Sequence, residues 1–97
     1  MNVFEVIDKS GRRVRLTKER WIHIRKKHPE VENSDLIEDI LVNSDKIVES
    51  ELDETIFHFY KYYKNRKQPY QYLHVVVKYL NGEGDVLTAY FDKHIKW

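Results

Sequence analysis

Residues 70–91 read Tyr70-Gln71-Tyr72-Leu73-His74-Val75-Val76-Val77-Lys78-Tyr79-Leu80-Asn81-Gly82-Glu83-Gly84-Asp85-Val86-Leu87-Thr88-Ala89-Tyr90-Phe91. Two aromatic and β-branched runs flank a turn at Asn81-Gly82-Glu83-Gly84, the pattern of an antiparallel strand pair. Side chains alternate across a strand. Leu73, Val75, Val77 and Tyr79 therefore form one apolar set, with Leu87, Ala89 and Phe91 joining it from the last strand. Tyr72, His74, Val76 and Lys78 face the other way, with Thr88 and Tyr90 beside them.

Working back from this pair, residues 55–63 form another strand, with Phe57 and Phe59 directed to the core and His58 and Tyr60 opposite. Residues 46–49 form a short strand centred on Ile47 and Val48, a candidate exposed edge. Before them the period becomes helical. Asp35 and Glu38 have capping-box spacing, and Leu36, Ile37, Ile40 and Leu41 supply an apolar stripe. Thr17 can cap a helix over 18–27, which Pro29 stops by forcing His28 towards extended geometry. Residues 3–8 and 12–16 are short strands joined at Ser10-Gly11. Short links between successive strands imply an antiparallel meander. The expected fold is a two-layer α+β domain spanning 1–97, with an N-terminal β-hairpin and two helices packed on a four-stranded antiparallel sheet.

Composition bounds what such a domain can do. Ninety-seven residues suffice for one core. No apolar run approaches the roughly 20 residues of a membrane span. Met1-Asn2-Val3-Phe4-Glu5 lacks the layout of a signal peptide, so a cytoplasmic domain with no membrane partner is expected. Absence of cysteine excludes disulfides and thiolate metal sites. Net charge is only +1, yet it is segregated. Residues 9–27 carry nine basic side chains against Glu19 alone, residues 30–54 carry ten acidic ones against Lys46, and Lys61, Lys64, Arg66 and Lys67 follow. This pattern fits either a local phosphate-binding field or solvated faces that balance one another.

Aligning the polar sets of neighbouring strands collects His58, Tyr60, His74, Lys78, Thr88 and Tyr90. One reading is an ordinary solvated sheet face. The other is a site, because a proton carrier, a fixed cation and hydroxyl donors are the parts needed to handle a phosphodiester. The first helix adds two histidines. At roughly 100° per residue, His28 falls on the Trp21–Ile24 stripe, at a C-terminus whose dipole favours a protonated ring. It is either a structural core-edge residue or a catalyst. His23 lies nearly opposite, beside Lys26 and Lys27, and reaches a cleft only if the strands curl around the helix.

Several stretches are also familiar in order. Arg20-Trp21-Ile22-His23-Ile24 with His28-Pro29-Glu30 resembles the signature of a family of small microbial and phage-associated proteins. Asn43-Ser44-Asp45-Lys46-Ile47 is similar to a second element, with Ser44 where Pro is usual. Tyr60-Lys61, Tyr72 to Lys78, Thr88-Ala89-Tyr90 and Ile95-Lys96 resemble others. The family is similar to the barnase–EndoU–colicin–RelE-like ribonucleases. The resemblance implies a metal-independent endoribonuclease with no cofactor, possessing helices on a four-stranded antiparallel sheet and cutting RNA through its own 2′-OH to leave a 2′,3′-cyclic phosphate. It places catalytic weight on His23, His28, Lys78, Thr88 and Tyr90. Arg20, Tyr60, Lys61, Lys64, Arg66 and Tyr72 become RNA contacts. His58, His74 and His94 have no counterpart in it. If the chain is a toxin, a protein antitoxin covering the polar face is implied. The alternative is a non-catalytic RNA- or protein-binding module on the same scaffold. A metal site is disfavoured, since His23 and His28 are five apart rather than the four that suits two ligands on one helix face.

Overall fold

The computed structural model describes residues 1–93. Leu80 pairs with Glu83 across Asn81 and Gly82, whose φ values of 55° and 81° suit a two-residue hairpin turn. This turn joins β5 (Tyr72–Leu80) to β6 (Glu83–Asp92), after β1 (Asn2–Ile7), β2 (Arg13–Thr17), α1 (Lys18–Lys27), α2 (Ser34–Asn43), β3 (Lys46–Glu49) and β4 (Ile56–Tyr62). The element order ββααββββ expected from the sequence is the one observed.

The sheet differs from the expectation. All six strands join one sheet in the order β1-β2-β6-β5-β4-β3, so the N-terminal hairpin extends the sheet instead of packing on it. β2 runs parallel to β6, pairing Arg13–Arg15 with Glu83–Asp85, which makes the sheet mixed rather than a four-stranded antiparallel meander. A parallel pair needs a long crossover, and here two helices and three strands intervene. Val14 and Leu16 favour the arrangement because it buries both completely. Arg15 on β2 also reaches Asp85 on β6 at 2.6 Å.

A second difference lies within β6. Val76 pairs with Thr88 but Val77 pairs with Val86, so Leu87 is the extra residue of a bulge. The bulge resets the alternation, and Val86 rather than Leu87 enters the core. The same face takes Gly84 hard against Tyr79 and Val77, where an added Cβ would lie 2.8 Å from Tyr79 Cε1 and 2.9 Å from Val77 Cγ1.

Thr17 caps α1 as expected, its Oγ1 accepting from the Arg20 amide at 3.2 Å. α2 is capped two residues earlier than the Asp35/Glu38 spacing suggests. Asn33 accepts from the Asp35 amide at 2.8 Å, because its side chain precedes the first helical residue and that of Asp35 does not. α1 lies against β6 and β2, and α2 against β4, β5 and β1. Ile24, Ile37, Ile40 and Leu41 from the helices meet Phe59, Leu73, Val75, Val77, Ala89 and Phe91 in one core cluster.

The far end of that core is closed by Asp8, which is 4% exposed. Its carboxylate accepts from the Ser10 amide at 2.9 Å, the Ser10 hydroxyl at 2.6 Å and the Arg12 amide at 3.0 Å. The Tyr79 hydroxyl donates a short hydrogen bond to the other oxygen. Arg12 lies over the Tyr79 ring at 3.6 Å. Burial first, and then Asp8, push the Tyr79 phenol far above its ordinary range, so it remains a donor at all physiological pH. The β1–β2 turn is thereby tied to β5.

Two substitutions test this frame by chemical denaturation. Gly84→Ala is expected to cost about 1–3 kcal/mol, since neither the Tyr79 ring nor the Val77 branch can withdraw cheaply. Tyr79→Phe is expected to cost about 1–3 kcal/mol by removing a donor from a buried carboxylate.

Candidate active site

The face of the sheet opposite Phe59, Val75 and Ala89 carries His58 and Tyr60 from β4, His74 from β5, and Tyr90 and Asp92 from β6. Tyr60 is directly across from His74, and His74 directly across from Tyr90. Register alone therefore brings four rings together in the middle of the sheet. His74 and Tyr60 are 2% and 1% exposed, so this is a built interior rather than a solvated face. The Tyr60 ring stacks on His74 with centroids 4.4 Å apart, and the Tyr90 ring sits 4.8 Å from His74 on another side. A cavity of about 420 Å³ elsewhere is lined by Arg66, Tyr70 and Phe91, whereas the one over these rings measures about 290 Å³. Residues 48–52 form its opposite wall.

The polar atoms of this group are ordered in a chain. His58 Nδ1 and His74 Nε2 are 2.7 Å apart, and His74 Nδ1 is 3.7 Å from Asp92 Oδ2. A nitrogen–nitrogen contact of this length needs one N–H and one lone pair. Placing a proton on His74 Nδ1, towards Asp92, makes His74 Nε2 the acceptor and His58 Nδ1 the donor. The second lone pair of the pair then belongs to His58 Nε2. At 3.7 Å Asp92 acts on His74 through its charge rather than through a hydrogen bond, and that charge favours the proton on the nearer nitrogen.

Tyr90 supplies a hydroxyl. Burial chiefly, then the charge of Asp92, raises its phenol above the ordinary value, which keeps it protonated at neutral pH. His28 approaches Tyr90 from the helix layer with ring centroids 5.3 Å apart. It is the C-cap of α1, its amide donating to the Ile24 carbonyl at 2.7 Å. Its Nδ1 lies 3.6 Å from Glu30 Oε2. α1 follows β2 along the flank of β6, which is why a helix residue reaches the face opposite the main core.

Of the residues singled out from the sequence, His28, Tyr60 and Tyr90 are brought together. Thr88 is two residues from Tyr90 on the same face of β6. Lys78 is four residues from His74 along β5, about 13 Å at strand rise, opposite Asp85 and Ile56. His23 is exposed and shares a shallow depression with Thr17, Glu19 and Arg20, away from the ring cluster. Tyr72 packs on Tyr62 at the end of the face, with centroids 5.3 Å apart. Lys61 points to the helix side and meets Asp39 at 2.5 Å. Arg66 forms a two-pronged pair with Glu32 at 2.5 and 3.1 Å. Lys64 is exposed. His94 and Ile95-Lys96 lie outside the described residues.

The motif resemblance weights Lys78 and His23 and has no place for His58 or His74, and Asp92 lies one residue past the expected end of the last strand. Strand alternation had already put both histidines on this face. The signal for Asp92 was its position two residues beyond Tyr90. No group of three or more His, Cys, Asp or Glu among the described residues is arranged to hold a metal ion. No helix among them is long and apolar enough to cross a membrane. The chain matches no family model, no curated protein and no solved structure.

The Lys61–Asp39 pair makes a pH-dependent contribution whose sign is defined. Lys61 first, with Asn43 and Tyr63 adding hydrogen bonds, holds the Asp39 carboxyl below the usual range. A depressed carboxyl stabilises the fold above its unfolded value of about 3.9, and that stability is lost as pH falls through the lower folded value. Asp39 is partly exposed, so solvent screening keeps the coupling small. A double-mutant cycle of Asp39→Asn and Lys61→Met is expected to give about 0.5–1 kcal/mol at neutral pH. The coupling in the same cycle is expected to shrink as pH falls below about 3.9.

Proposed function

We propose that the chain is a metal-independent endoribonuclease whose proton chemistry runs through the Asp92–His74–His58 chain. The observation that carries this reading is the 2.7 Å contact between two imidazoles, backed by a carboxylate, beneath a cavity. RNA brings its own nucleophile, so the protein need move only two protons and steady the charged phosphorane. His58 Nε2 takes the proton from the 2′-OH as the O2′–P bond forms. His28, held by Glu30, gives a proton to the 5′-oxygen as the P–O5′ bond breaks. The Tyr90 hydroxyl, kept neutral by burial, donates to a non-bridging oxygen. The products are a 2′,3′-cyclic phosphate and a 5′-hydroxyl. Tyr60 acts from within the cluster, stacking His74 in place.

This reading keeps the reaction class implied by the motif resemblance and moves its centre from Lys78 and His23 to His74 and His58. An enzyme of this kind acts on RNA in the cytoplasm, and its cost to a host cell makes a protein antitoxin a fitting partner.

The test is incubation of the chain with single-stranded RNA in EDTA. Cleavage leaving 2′,3′-cyclic phosphate ends is expected, with no cutting at a 2′-deoxy position. His58→Ala and His74→Ala are each expected to lower the rate by about 10²-fold or more, and both by more than His23→Ala. RNA that is bound but left intact would assign the chain to the binding-module class instead.

A further inference from the structure

The loop between β4 and β5 and the turn after α1 enclose a second cavity, of about 420 Å³, lined by Glu30, Arg66, Lys67, Tyr70 and Phe91. That volume falls in the range of roughly 300–1,000 Å³ in which small ligands are held. Its walls are flat. Arg66 lies over the Phe91 ring at 4.4 Å and is locked there by both prongs of Glu32. Tyr70 is 50% exposed, with the Lys93 ammonium 5.7 Å from its ring centroid. Glu30 lines this cavity and also touches His28, so the cavity adjoins the proposed cleavage centre through one residue.

We propose that this cavity is a nucleobase subsite that holds one unstacked base of a single-stranded RNA, its flanking phosphates lying on Lys67 and Lys93. The proposal rests on the ribonuclease reading above and names its substrate class. A base needs planar partners for its faces, and the half-exposed Tyr70 ring and the guanidinium plane of Arg66, which rests on the buried Phe91 ring, are both planar. A purely apolar ligand gives no role to two lysines at the rim, whereas a nucleotide uses both kinds of surface. A base inside a duplex is already stacked and paired, so the site selects single strands. Arg66 enters as a fixed wall rather than as a mobile phosphate clamp, because Glu32 occupies its fork.

The probe is a short fluorescein-labelled oligothymidylate, which lacks the 2′-OH and survives the chemistry proposed above. Binding is followed by fluorescence anisotropy. Tyr70→Ala is expected to weaken binding about tenfold, and Tyr70→Trp to retain it. Lys67→Ala is expected to lower the salt dependence of binding by about one ion. An abasic strand of the same length should bind the wild-type chain as weakly as oligothymidylate binds Tyr70→Ala. Circular dichroism checks that the half-exposed Tyr70 variants remain folded. The subsite is overturned if the wild-type chain does not bind the probe, if Tyr70→Ala binds as tightly as wild type, or if it weakens the abasic strand equally. A His58→Ala variant that binds the probe but no longer cuts RNA supports both readings. A wild-type chain that binds in this way yet never cuts RNA leaves the subsite standing while the cleavage reading falls.

Discussion

β6 is bonded on both sides, antiparallel to β5 and parallel to β2, and every other part of the molecule is placed by those two pairings. The β5 pairing begins at the Asn81-Gly82 turn, whose left-handed backbone matches the twist of the strands it joins. Its register puts His74 beside Tyr90 and Tyr72 beside Asp92. The β2 pairing covers only three residues, after which the chain turns into α1 and runs on beside β6. That change from strand to helix along one flank delivers His28 to Tyr90. A longer β2 would leave no helix there and no histidine at that edge.

The charge segregation resolves unevenly. Asp39 and Glu32 are engaged by Lys61 and Arg66, so two members of the second basic cluster balance the acidic segment instead of facing solvent. Arg15 answers Asp85 in the same way, and Arg25 donates to the carbonyls of Pro29 and Val31. Lys18, Lys26, Lys27, Lys64 and Lys67 stay exposed. Charge counted along the chain thus overstates the cations available to a phosphate backbone. Ion pairs between distant segments are invisible to such a count.

The site shows the same limit from the opposite side. Alternation along β4 and β5 assigned His58, Tyr60 and His74 to one face, and the register across those strands agrees. Short motifs then drew attention to Lys78 and His23, which stand apart from the ring cluster. Lys78 shares a face with His74, but a strand rises about 3.3 Å per residue, so sharing a face does not mean sharing a site. Helical projection had placed His23 on the outer side of α1, and it is exposed there.

Element type and order followed from local chemistry. Thr17 as a cap, Pro29 as a stop, and the alternation of residues 72–80 act within a few residues of themselves, so α1 and the central strands are legible in the chain. Which strands become neighbours depends on contacts far apart in sequence. The parallel β2–β6 pair joins residues some seventy positions apart, and no local pattern distinguishes it from a separate hairpin. The Leu87 bulge exchanges which valine or leucine is buried, and only pairing against β5 reveals it. The Asp92–His74–His58 chain depends on both effects, because its members come from three strands and meet only once register and sheet order are set.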